Sequence, residues 1–258
     1  MAFIQCEFKS AVLDIGCSLN VILNETALKQ NGPGHRSPVL YLLHGLSDNH
    51  AGWIRNTSIE RYAEAYDVAI VMPAINRSFY TNMHAGYKYF DFIAKEVPQV
   101  AQSFFPIAPG RSNTFVAGLS MGGYGAFKLA MSKPNEYAAA ISLSGALDLG
   151  SMECDRDDML PEWENVFGNI DAFKDGENDL LGLATKLQAS DTPKPAFYQY
   201  CGTDDFLYPV NTSFLQHCKR IGLEIDYSES EGDHNWEHWD REIQAALDWL
   251  PLKKVQPS

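Results

Sequence analysis

Short runs of apolar residues alternate along the chain with longer stretches whose apolar positions fall three and four apart. The first pattern marks buried strands and the second amphipathic helices. Residues 3–10 and 18–24 read as an opening antiparallel pair, joined near Asp14-Ile15-Gly16, and Asn31-Gly32-Pro33-Gly34 is a turn. Residues 39–43 predict a buried strand, 58–66 a short helix, and 68–72 the next central strand, halted by Pro73. Over 91–105, Phe92, Ile93, Val97, Val100, Ala101 and Phe104 share a helical face, and Pro98 predicts a kink or break within it.

A strand at 114–119 leads into a helix that includes 126–131, and 139–143 is the next strand, followed by the turn Ser144-Gly145. From 147 to about 190 the pattern dissolves into acidic loops and short helices around 161–167 and 179–188. Order returns with a strand at 196–201, a helix at 209–221, a last strand at 223–228 and a closing helix at 235–250. Strands alternating with helices, without repeat or linker, predict one α/β domain over residues 1–258, a mostly parallel sheet flanked by helices. The 147–190 insertion is expected over the carboxyl ends of the strands, where α/β enzymes place pocket walls.

Charge narrows the partners. The formal net charge is −13, and both nucleic acid and anionic membrane surfaces demand basic patches. No apolar run approaches the roughly 20 residues of a membrane span. Met1-Ala2-Phe3-Ile4-Gln5-Cys6-Glu7 has neither a basic nor an apolar leader segment. The five cysteines (Cys6, Cys17, Cys154, Cys201, Cys218) are scattered and include no C-x-x-C pair. Free thiols in a reducing cytoplasm are therefore expected.

Between the 114–119 strand and its helix stands Gly118-Leu119-Ser120-Met121-Gly122. A serine on so sharp a strand-to-helix turn takes a strained backbone conformation that lifts its hydroxyl clear of the sheet. Side chains two residues to either side would collide, so glycine fills both places. The hydroxyl needs a general base, and the base an orienting carboxylate, in the chain order Ser, acid, His. Of the histidines downstream, His217 lies mid-helix and reads as a surface residue. His234 sits in the loop after the last strand, at the same sheet edge as Ser120, and His238 is one turn further, read as structural. The acid is expected in the loop after the 196–201 strand, which offers Asp204 and Asp205; spacing does not choose between them. Backbone N–H groups of Leu46, after His44-Gly45, and Met121 are assigned as oxyanion donors, with His44 shaping its loop.

One competing pattern is His234-Asn235-Trp236-Glu237-His238, which matches the H-x-x-E-H zinc-protease signature. A third ligand would have to be Glu242, another turn along the same helix, and three successive turns of one helix close poorly around a tetrahedral ion. No metal or other cofactor is expected. Asp155-Arg156-Asp157-Asp158 could hold calcium but reads as a solvated loop.

Leu42-Leu43-His44-Gly45-Leu46, Trp53, the string from Gly118 to Ala126, Cys201-Gly202-Thr203-Asp204-Asp205-Phe206-Leu207 and His234-x-Trp236 resemble the esterase D family of α/β-hydrolases. The likeness is greatest to its bacterial tributyrin esterases and runs over nearly the whole chain, loosest between Leu147 and Gln188. The resemblance implies Ser120 as nucleophile, His234 as base and Asp205 as the acid, with Leu46 and Met121 as oxyanion donors. It implies a serine carboxylesterase for short acyl esters with a small-molecule substrate. The bulky residues Trp53, Tyr80, Trp163, Phe167 and Trp236 are expected to wall the site, although residues of this kind are more often core than pocket. Formylglutathione and acetylated sugars are the alternative substrates. The 44–48 loop lacks the cysteine after Leu-Thr that marks the formylglutathione hydrolases, which weakens that alternative. A non-catalytic binding module is the reading from another class, and self-association into a homo-oligomer is left open. If Asp205 is the acid, Asp204 is expected to cap the turn before the Pro209 helix.

Overall fold

The strands are β1 (Ala2–Lys9), β2 (Gly16–Leu23), β3 (Val39–Leu43), β4 (Ala69–Pro73), β5 (Thr114–Leu119), β6 (Ala139–Leu143), β7 (Ala196–Gly202) and β8 (Asp226–Ser230) in a computed structural model that describes residues 1–152, 160–169, 173–174 and 176–256. They form one sheet in the order β1-β2-β4-β3-β5-β6-β7-β8. The pairs β1–β2 and β2–β4 are antiparallel and all others parallel.

The central strands are apolar throughout because both faces are covered. In β3, Val39, Tyr41 and Leu43 enter one core, while Leu40 and Leu42 enter the other. In β5, Val116 faces the first core, and Phe115, Ala117 and Leu119 face the second. The Met121–Ser132, Leu180–Ala189 and Tyr208–Ile221 helices supply the first core, the Ile59–Ala63 and Trp236–Trp249 helices the second. Strand β1, by contrast, alternates half-buried and exposed residues, as an edge does. Among the described residues no helix is long and apolar enough to cross a membrane.

The chain leaves β3 for β4 on one side and returns to β5 on the other. Strand order thus reverses at β3, and the crevice beyond the carboxyl ends at such a reversal is where open α/β sheets bind ligands. Register sets Leu43 beside Gly118 and Leu119 beside Leu143, so the loops after β3, β5 and β6 emerge together. This is the α/β-hydrolase fold.

Three local features differ from the sequence reading. The Glu25–Asn31 and Gly52–Asn56 helices were not anticipated. The predicted 91–105 helix is composite: Tyr89–Asp91 is α-helical, Phe92–Glu96 is a π-turn and Val97–Phe104 is α-helical again. Val97 N–H donates to Phe92 O, five residues back, so the wider turn comes just before Pro98, which has no N–H to give. Finally, β8 begins at Asp226 rather than at 223. Gly222, at φ 78°, ends the preceding helix in the left-handed region. Leu223 donates its N–H to Cys218 O and tucks beneath that helix end.

Candidate active site

Ser120 has φ 53° and ψ −120°, a conformation that few side-chain-bearing residues adopt. Its N–H donates to Leu143 O at 2.9 Å, and its carbonyl receives Tyr124 N–H at 3.1 Å. A Cβ on Gly118 would stand 2.3 Å from the Gly122 carbonyl, and one on Gly122 would stand 2.5 Å from Leu43 O. Both glycines are therefore required by close backbone approach, and together they let the chain reverse around the serine.

The imidazole of His234 comes from the loop after β8. Its Nε2 lies 3.0 Å from Ser120 Oγ, and its Nδ1 lies 2.8 and 3.0 Å from the two oxygens of Asp205. The Asp205 side chain is fully buried and also accepts Leu207 N–H at 2.8 Å. A carboxylate so placed keeps the imidazole proton on Nδ1 and leaves Nε2 to accept the serine proton. Asp204 turns elsewhere. Its N–H donates to Gly232 O at 2.9 Å, and its Oδ2 receives Gly232 N–H at 3.3 Å. It clips the histidine loop, and does not cap the Tyr208–Ile221 helix as the sequence reading expects.

Two aromatic rings bracket the imidazole. Phe206 lies 4.5 Å from it and Trp239 4.8 Å, centroid to centroid, with Trp239 Nε1 donating to Ser144 Oγ. The sequence reading gave neither residue a role. The one available signal was an aromatic side chain directly beside the candidate acid.

The loop after β3 forms the other flank. A Cβ on Gly45 would come within 3.7 Å of Ser120 Cβ, so the backbone passes close beside the hydroxyl. Leu46 N–H makes no hydrogen bond among the described residues, and Met121 N–H, first in its helix, has no intrahelical partner. Both are open to an anionic oxygen, in keeping with the positive end of the helix. His44 is buried, receives Ile75 N–H at Nε2, and bonds Gly45 O through Nδ1. Burial lowers its pKa to about 4, so the ring is neutral and shapes the loop.

The predicted pocket residues divide. Trp53 and Tyr80 are 1% and 0% exposed, which corrects their assignment as pocket walls. Trp53 Nε1 donates to Leu43 O and Tyr80 OH to His44 O, so both rings support the loop from beneath. Trp236 is half-buried and packs edge-on against Trp53 and Trp239. Trp163 and Phe167 pack together on Phe79, which in turn meets Tyr124, one turn beyond Ser120. The insertion is fastened there: Tyr124 OH donates to Asn178 O, Lys128 Nζ donates to Asn178 Oδ1, and Arg77 pairs with Glu162. The Asp155–Asp158 stretch, read above as a solvated loop, lies outside the described residues.

The remaining histidines stand apart from this chemistry. His217 is half-buried, against Thr185 and Arg220, in a surface cleft of about 560 Å³ that includes none of Ser120, Asp205 or His234. His238 Nε2 faces Asp233 at 3.4 Å, and Glu242 accepts Arg241 Nε. Among the described residues no three of His, Cys, Asp or Glu gather as a metal ion would require.

Residues 26–250 match the family model described as "Putative esterase". An acetyl esterase of Caldicellulosiruptor saccharolyticus is 30% identical, covering 97% of this chain and 98% of its own. Among solved structures, a fluorophosphonate-binding serine hydrolase of Staphylococcus aureus superposes with a TM-score of 0.87 at 33% identity, covering 96% of this chain and 98% of its own. An S-formylglutathione hydrolase of the same organism gives 0.85 at 33% identity, with the same coverage. A ferulic acid esterase at 22% identity shares the fold, with a TM-score of 0.83.

Proposed function

The chain belongs to the esterase family, and for this serine carboxylic ester hydrolase we propose that Ser120 is the nucleophile, His234 its general base and Asp205 the orienting acid. The observation that carries this reading is the unbroken hydrogen-bonded line from Asp205 through His234 to Ser120 Oγ. As Oγ attacks the ester carbonyl, His234 Nε2 takes its proton, and the imidazolium that forms is held by Asp205. The carbonyl oxygen becomes an oxyanion that Leu46 and Met121 N–H groups receive. Nε2 then protonates the leaving alcohol, and water, activated by the same nitrogen, releases the acid from Ser120.

The substrate is a small-molecule ester, and we read the acyl group as short, acetyl to about butyryl. The name of the C. saccharolyticus relative supports this, as does the crowding of Trp163, Phe167 and Phe79 beside the helix that follows Ser120. Thioester hydrolysis is the second reading, favoured by the S. aureus S-formylglutathione hydrolase likeness. The chain acts as one hydrolase domain, with the 147–190 insertion as part of the pocket. Cys6, Cys17, Cys201 and Cys218 are free thiols, which supports a cytoplasmic setting.

The test is labelling by a fluorophosphonate, which requires an activated serine. Stoichiometric labelling of Ser120, lost in Ser120→Ala, is expected. Labelling at another residue, or none in the folded wild type, overturns the assignment and favours a binding module on a hydrolase scaffold.

A further inference from the structure

Phe206 is 66% exposed, yet its ring lies 4.5 Å from the imidazole of His234. No other large hydrophobic residue of the described chain combines such exposure with contact to the reacting groups. Its neighbours Asp205 and Leu207 are buried, so the backbone there is fixed while the ring is held out at the mouth of the site. The other aromatic contact to His234, Trp239, is 5% exposed and tied to Ser144, and offers a ligand almost no surface.

The chemistry says what belongs beside that ring. This step rests on the reading of His234 as general base. Nε2 must hand its proton to the leaving oxygen, so that oxygen lies within hydrogen-bond reach of Nε2 and its substituent lies alongside the imidazole. The acyl chain, attached on the other side of the carbonyl, runs away from His234. The exposed face of Phe206 is thus on the alcohol side of the ester.

Charge on the chain segments that carry Phe206 and His234 selects further. Asp204, Glu231, Asp233 and Glu237 are all exposed within a few residues of Phe206 or His234. The nearby cation Arg241 is already bonded to Glu242, Tyr200 and Ser230. A negatively charged leaving group would approach chain segments rich in exposed carboxylates, whereas a neutral apolar one would meet an uncovered aromatic ring.

We propose that Phe206 is a specificity-determining residue that receives the alcohol half of the substrate and selects esters of neutral, apolar or aromatic alcohols. Covering the ring withdraws apolar surface from water, and stacking adds to that gain.

The experiment compares kcat/KM for methyl acetate and benzyl acetate, whose alcohols are similar in acidity and share one acyl group. It uses the full-length wild type, Phe206→Ala and Phe206→Tyr. Fluorophosphonate labelling serves as a check of the fold and of Ser120. The wild type is expected to prefer benzyl acetate. Phe206→Ala should lower the benzyl-to-methyl ratio roughly tenfold, the loss falling more heavily on benzyl acetate, and Phe206→Tyr should keep the ratio. A 4-carboxybenzyl acetate should be several-fold poorer than benzyl acetate in the wild type.

An unchanged ratio in Phe206→Ala with normal labelling overturns the proposal and leaves the Ser120 assignment standing. Equal losses on both esters also overturn it, since they would make Phe206 a support for the imidazole and not a surface for the alcohol. A carboxybenzyl ester that is the better substrate refutes the preference for neutral alcohols. Failure of the wild type to label overturns the Ser120 reading and the proposal with it.

Discussion

Asp204 and Asp205 are neighbours in the chain, but their carboxylates hold different parts of one loop: Asp204 clips the backbone of Gly232, and Asp205 meets the imidazole of His234. The two substitutions to asparagine should therefore separate cleanly. Asp205→Asn keeps the shape but favours the wrong imidazole tautomer, and should cost on the order of 10⁴ in kcat, by analogy with serine proteases. Asp204→Asn weakens one exposed contact and should cost less than about tenfold. Measuring kcat and Tm for both decides this. A folded Asp204→Asn enzyme with no turnover would move the assignment by one residue.

Ser120→Ala should remove nearly all turnover of p-nitrophenyl acetate, because no other hydroxyl is bonded to His234 Nε2 among the described residues. EDTA should leave the wild type unchanged. Activity that survives Ser120→Ala but is lost on chelation would revive the metal reading of His234 and His238.

The parts legible in the sequence were those written in local pattern. Buried strands announce themselves as apolar runs, and the Ser120 turn as glycines placed where only glycine fits. The choice between Asp204 and Asp205 was not written locally. It depends on how the loop after β7 meets Gly232, a contact 28 residues away. The Glu25–Asn31 helix was missed because it buries only Ala27 and so carries no apolar stripe, its start being set by the Asn24 cap. Trp53 and Tyr80 were misplaced for a related reason. A large aromatic residue near a site reads the same whether it faces substrate or supports a loop, and only its bond to Leu43 O or His44 O distinguishes the two.

Alanine at Gly122 tests the geometry of the turn. The added Cβ would stand 2.5 Å from Leu43 O and 2.8 Å from His44 O, both backbone atoms of a central strand and its loop. Neither can yield without moving β3, so a loss on the order of 3 kcal/mol is expected. That corresponds to a fall in Tm of roughly 10 °C for a domain of this size. An unaltered Tm would mean that the turn is looser than described.

An acyl series of p-nitrophenyl esters from acetate to octanoate tests the short-chain reading. Specificity should peak at two to four carbons, in keeping with the crowding of Phe79, Trp163 and Phe167 beside the helix that follows Ser120. A preference for eight carbons or more would show that the aromatic cluster does not limit the pocket.

Lys128 gives a prediction in stability. Its side chain is buried on the helix that follows Ser120, with Nζ donating to Thr81 Oγ1 at 2.8 Å and Asn178 Oδ1 at 2.6 Å, between the rings of Phe90 and Tyr124. Burial lowers its pKa from 10.5 to about 7, with Glu177 opposing the shift in part. Below about 7 the folded and unfolded chains both hold the proton, and the folded state bears the full cost of a buried charge. Between about 7 and 10.5 the unfolded chain alone stays protonated, so the contribution of this residue to stability rises with pH. The slope approaches 1.4 kcal/mol per pH unit at most. A neutral amine still donates two hydrogen bonds, enough for Thr81 and Asn178. Lys128→Met abolishes the titration. Urea unfolding of wild type and variant at pH 7, 8 and 9 should therefore show the wild type gaining on the variant at each step. A stability difference that stays flat over that range would mean that Lys128 keeps its proton in the folded protein.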